Sequence, residues 1–152
     1  MNRPAILSDA RERLLAMLSE TSRHVDILSP QLEPLLLDDD EVMTALVRLA
    51  RRGHNTRIRV LLAELRPVLE SGHRLLALGR RLSTAVTVRV LSEHSEWNGE
   101  TAAICDRREG LLLNLSEHRF RPLDTAPDGM REAERFDRLW LAGETSPELR
   151  QL

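Results

Sequence analysis

The chain has no lysine and no tyrosine, and all 22 of its basic residues are arginine. Without a lysine, no mechanism that needs an ε-ammonium can operate, whether a P-loop lysine or a Schiff base. The single cysteine, Cys105, excludes an internal disulfide and any multi-cysteine zinc site. On an apolar strand it is expected to be a small buried hydrophobe. Aromatic residues make up only 3% of the chain, two Trp and two Phe. No apolar run reaches the roughly 18 residues of a membrane span. The opening "MNRPAILSDARERLLAMLSE" has no long apolar core of a secretory signal. No membrane association and a cytoplasmic location are therefore expected.

What is present suits one domain over residues 1–152, with 41% hydrophobic and 30% charged residues. The formal net charge of −2 gives no global field toward polyanions, which argues against nucleic acid as a partner. No cofactor and no metal is implied. The run Asp38–Asp39–Asp40 reads as a solvated helix cap, since no partner ligands stand at a fixed spacing.

Periodicity divides the chain. A first helix starting at Ser8 or Asp9 has an apolar face of Leu7, Ala10, Leu14, Met17 and Leu18. "HVDILS" at 24–29 reads as a strand ended by Pro30. A second helix buries Val42, Ala45, Leu46, Leu49 and Ala50 and stops at Gly53. "RIRVLL" at 57–62 is the next strand, followed by a helical region interrupted near Ser71 and Gly72. Val86, Val88 and Val90 alternate as a third strand, and 101–106 and 111–115 form a hairpin across "RREG". Pro122, Pro127 and Gly129 mark a loop before a last helix over 130–142, and 143–152 are expected to fray. The order α-β-α-β-α-β-β-β-α predicts an α/β fold with a mixed, mostly parallel sheet flanked by helices.

"HVDILSPQL", followed by a helix and then "LARRGHNTRIRVLL", resembles the first βαβ unit of phospholipase D-like domains, and "AERFDRLW" resembles their last helix. The likeness runs over residues 8–142 and implies a phospholipase D-like half, the single-copy form of that fold. A similar domain occurs in proteobacteria as a small module of unassigned function, sometimes beside acetyltransferase domains. The superfamily's HxKxxxxD signature, counted back from Asp106, puts Gly99 at the His position and Thr101 at the Lys position. Near the later Gly-Ser-x-Asn segment the chain has Leu113, Asn114 and Ser116. The resemblance thus implies a degenerate domain that has lost its nucleophile and a charge stabiliser, with no catalytic residue assigned. Phosphodiester transfer in that superfamily runs through a phospho-histidine, which glycine cannot form.

A module acting by protein binding or self-association is the first functional reading. The resemblance implies a homodimer and, by family association, an acetyltransferase-type partner. The alternatives are a hydrolase or transferase of altered mechanism on a phosphorylated ligand, and nucleic-acid binding. Candidate ligand-binding residues are His73 and Arg74 at a helix start, His94 and Trp97 in the loop after the third strand, Asp106 and Asn114 of the signature, and Arg59 and Arg89 on strand faces. Arg59 and Arg89, with Arg57, are expected to bind an anion or to pair with carboxylates at a subunit interface. His24 and His54 are expected at the surface, and His118 lies where it could fill part of the missing Gly-Ser-x-Asn segment.

Overall fold

The computed structural model describes residues 2–53 and 55–150. Helix α1, Arg3–Glu20, starts earlier than Ser8 because Asn2 caps it: its side chain accepts from the Ala5 N–H at 2.9 Å, and a proline stands in the first turn. Ile6, Ala10, Leu14, Met17 and Leu18 are its buried face. Strand β1, His24–Ser29, is followed by a short helix α2, Pro34–Leu37, and by α3, Asp40–Ala50. Asp39 caps α3 as the aspartate run predicts, accepting from the Glu41 and Val42 N–H groups. Then come β2, Arg57–Leu62, the broken helical pair α4, Leu65–Glu70, and α5, Arg74–Arg81, and β3, Val86–Val90.

Strands β4, Thr101–Cys105, and β5, Glu109–Asn114, form the expected hairpin. Its turn carries positive φ at Asp106 and Arg107, with the Arg108 N–H donating to the Cys105 carbonyl at 3.2 Å. That primed turn matches the right-handed twist of the strands. A sixth strand, β6, Arg119–Leu123, takes the place of the expected loop. It contains Pro122 and lies at the sheet edge, where a missing N–H costs no ladder bond. Helix α6, Ala126–Ala142, follows, with Thr125 as its cap and a proline in its first turn.

The strand order is β3-β2-β1-β4-β5-β6. β1 pairs parallel with β2, and β2 with β3, while the three remaining ladders are antiparallel. β1, β2, β3 and β5 consequently point the same way. This is the α/β architecture expected, a mixed, mostly parallel sheet flanked by helices. Helices α1 to α5 cover one face over a large core that includes Ile27, Ile58, Val60, Leu75 and Leu111. On the other face α6 packs alone, burying Leu28, Leu61, Ala102, Ile104, Phe136 and Trp140. β1 and β2 are therefore buried on both sides, as strands between two layers must be. Past α6, Glu144 bridges to Val90, and Pro147–Arg150 form a 3-10 turn against α5.

Gly129 lets α6 touch the hairpin. A Cβ there would stand 1.9 Å from the Arg108 carbonyl oxygen and 2.7 Å from the Glu109 nitrogen, both backbone atoms. Gly129→Ala should therefore destabilise the fold despite its gain in helix propensity. The expected loss is about 1–3 kcal/mol, read as a lower urea midpoint at unchanged slope.

Candidate functional site

The chain carries two chemically different ends. At the carboxyl ends of β1, β2 and β3, the sheet continues leftward by parallel crossovers and rightward through β4. That reversal is where open α/β sheets hold ligands. A groove of about 530 Å³ opens there, lined by Pro30, Ala63, Ser92, Glu93, His94, Ser95, Trp97 and Gly99. Gly99 sits at its rim with φ of 84°. Thr101 is buried just beneath, its hydroxyl 2.9 Å from that of Ser29. Gly99 and Thr101 thus bring a bare backbone and a neutral hydroxyl to this end of the sheet.

The candidate loop residues lie in the same groove, engaged locally. His94 Nδ1 accepts from the Glu96 N–H at 3.0 Å, and Trp97 Nε1–H donates to the Glu100 carbonyl at 2.9 Å. Around them stand Glu64, Glu93, Glu96 and Glu100. Arg138 pairs with Glu96 and Arg135 with Glu100. Among the described residues no arginine lies within ion-pair distance of Glu64 or Glu93. A phosphodiester at this end would meet carboxylates where catalysis needs cations.

Other predicted residues are spread over the molecule. His73 is the cap of α5 and is buried, with Nδ1 accepting from the Leu75 N–H and Nε2 2.9 Å from the Leu32 carbonyl. Burial holds its pKa below the ordinary value. The Nε2–H bond ties down Leu32, which is fully buried at a φ of 51°. Arg74 pairs with Asp38 and Asp40. Asp106 accepts from the N–H groups of Ser22, Arg23 and His24, each at 2.9 Å. Burial raises its pKa, but the three backbone donors outweigh it and hold the group below the ordinary aspartate range. Its task is to seat the link between α1 and β1. Asn114 accepts from Ser116 and from the Glu117 N–H, closing the β5–β6 turn in which His118 takes a φ of 53°. Cys105 is buried, which pushes its thiol up to about 12. His54 lies outside the described residues.

Arg59 and Arg89 face α6, and their partners are in the same chain. Arg59 bonds Asp26 at 2.8 Å and Asp137 at 2.7 Å, and its guanidinium stacks over Phe136 and Trp140. Arg107 holds the other oxygen of Asp137 at 2.7 Å. Arg89 also lies over the Trp140 ring, 4.4 Å from its centroid, and donates to its carbonyl. Sequence order hides this arrangement, since Arg59 and Asp137 are 78 residues apart.

The opposite end of the sheet was missed by sequence reasoning. β1, β2 and β3 begin there, with His24 opposite Arg57 and Ile58 opposite Val86, and the β4–β5 turn closes beside Val25. Two helices end there in arginine, α3 at Arg51 and Arg52 and α5 at Arg80 and Arg81, and the link after α1 adds Arg23. Arg48 lies one turn up α3, and Arg108 lies in the hairpin turn. Arg23, Arg48, Arg51, Arg52, Arg57, Arg81 and Arg108 are exposed. Among the described residues no carboxylate lies within ion-pair distance of any of them. Arg52 and Arg80 donate only to the Thr21 and Leu149 carbonyls, which leaves their charge uncompensated. Burial, then Arg57, depress the pKa of His24 in their midst. The acids at this end, Glu20, Asp106, Glu109 and Asp124, line a small cavity of about 170 Å³ together with Arg108. One signal was available in the sequence: each parallel strand is introduced by arginine, in "SRHVD", "RRGHNTRIRV" and "RRLSTAVTV".

The fold is shared with solved structures of low identity. NucT from Helicobacter pylori is 14% identical with a TM-score of 0.68, the match covering 94% of each chain. That likeness, at low identity, shows a shared fold. TrmBL2, an archaeal chromatin protein whose structure shows a novel mode of DNA binding, is 16% identical with a TM-score of 0.65. The match covers 92% of this chain and 52% of TrmBL2, so the chain spans about half the length of that protein. The expectation against nucleic acid, drawn from net charge, is thereby corrected, because a protein sharing this fold is a DNA-binding one. The physical reason is that a sum of −2 conceals an acidic end and a basic end. Among the described residues no helix is long and apolar enough to cross a membrane. No curated protein matches the sequence. The model of the family described as a domain of unknown function, DUF7931, matches residues 7–152, and the chain belongs to that family.

Proposed function

We propose that this domain is a non-catalytic nucleic-acid-binding module of phospholipase D-like fold, and that its contact surface is the end where the parallel strands begin. One observation carries the reading. Arginines on the faces and at the groove end are paired with carboxylates, as in Arg11 with Asp39, Arg74 with Asp38, Arg135 with Glu100 and Arg138 with Glu96. Most of the unpaired ones gather at the basic end; of the others, Arg13 and Arg89 are engaged by backbone carbonyls, and Arg3 stands at the start of α1. Guanidinium groups left free of carboxylates are available to phosphate, which they bind in a bidentate fork. The surface offers little to a protein partner, because the large exposed apolar side chains Leu35, Met130 and Leu141 lie on α2 and α6. Gly99 and Thr101 support the non-catalytic half of the reading, and no steady hydrolysis of bis-p-nitrophenyl phosphate is expected.

The test is charge reversal. Arg51→Glu combined with Arg57→Glu should weaken binding of a labelled oligonucleotide by about tenfold or more at low salt, through lost counterion release. Both side chains are exposed and unpaired, so the fold should persist, with the melting temperature lowered by no more than about 2–4 °C through the acid placed at the α3 C-terminus. Arg66→Glu beside Glu70, near the groove end, is the control and should leave affinity unchanged. No binding by the unaltered chain at low salt, or equal loss in both variants, would sink the reading.

A further inference from the structure

We infer that the ligand of the basic end is duplex nucleic acid, held through its backbone phosphates and without readout of bases; this rests on the nucleic-acid reading above. Proteins that hold single strands combine a positive track with aromatic side chains on which bases stack. The chain has four Phe and Trp residues and no Tyr. Phe136 and Trp140 are buried under Arg59 and Arg89, and Trp97 lines the groove at the far end. Phe120 lies near the start of β6, opposite Leu113, also away from the basic end. The basic end therefore has no Phe, Tyr or Trp to act as a stacking platform.

With stacking absent, affinity comes from released counterions. That term is larger per contact on a duplex than on a single strand, because the duplex carries the denser charge. Base readout in the major groove is also unsupported. Helices that read bases present their N-terminal residues to the groove. α3 and α5 bring their C-termini to the basic end, where arginine suits the negative end of the helix dipole. The helix that starts nearby, α6, opens with Asp124 and Asp128 around its cap, which repel a polyanion.

The experiment is fluorescence anisotropy of the unaltered chain with a labelled two-turn DNA duplex and with oligothymidylate of equal length, over a salt series. The duplex should bind about tenfold more tightly at equal salt, and unrelated duplex sequences should agree within about twofold. The logarithm of the affinity should fall against that of salt with a slope of roughly −4, the value for four to five phosphate contacts. Equal or tighter binding of the single strand overturns the inference and leaves nucleic-acid binding standing, as does clear discrimination among duplex sequences. Binding of neither ligand overturns both.

Discussion

Arg59→Leu should lower stability by about 3–5 kcal/mol, because it strands Asp26 in the sheet without its partner. Asp26 is only 1% exposed and Arg59 8%. Desolvating a carboxylate there is tolerable only while the guanidinium returns the lost hydrogen bonds at 2.8 and 3.2 Å. In a domain of this size such a loss is roughly 10 °C in melting temperature. The double variant Asp26→Leu with Arg59→Leu should recover most of it, since replacing a whole buried pair by apolar side chains is often neutral. Asp137 keeps Arg107 in both variants, so the difference between single and double isolates Asp26. A single variant as stable as the parent in urea would show that solvent or a shifted Arg107 reaches Asp26 after all.

Trp140→Ala should cost a similar amount, about 3–5 kcal/mol, from the lost transfer energy and the cavity left behind. The residue is 8% exposed, its ring stacks on Phe136 at 5.9 Å between centroids, and the guanidinium groups of Arg59 and Arg89 both lie over it. Trp140→Phe should cost far less, because the stack and part of the cation–π contact persist. Because Trp140 and Arg59 touch, their effects should not add, and a double-mutant cycle should give a coupling of about 0.5 kcal/mol or more. An unchanged urea midpoint for Trp140→Ala would mean that α6 does not anchor on this residue.

Much of the fold could be read from local pattern. β1 to β5 follow from alternation and from Pro and Gly punctuation, and Asp39 marks the start of α3. β6 was hidden by Pro122, which looks like loop punctuation until the strand is known to lie at an edge. α1 and α6 begin earlier than expected because Asn2 and Thr125 cap them and a proline follows in each first turn, so Ser8 and Asp9 lie inside a helix already begun. The loop after the third strand, singled out for His94 and Trp97, lines the groove, and Gly99 lines it too. Which arginines are free could not be read, since pairing joins residues such as Arg74 and Asp38, 36 positions apart. Nor does composition say that Arg23, Arg57 and Arg81 share an end. Only the parallel registers bring them there.

Separating the charges along the strand axis makes the chain an electric dipole whose moment a sum of −2 conceals. A polyanion would turn the domain before touching it, so that encounters are end-on and the groove with Trp97 points away into solvent. β1 has six residues, which puts the two ends about 20 Å apart. That is more than two screening lengths of about 8 Å at physiological ionic strength. Charge bound at one end is therefore largely screened from exposed groups at the other. A domain built this way can stand on a charged polymer with its opposite surface unaltered, open to a ligand of different chemistry.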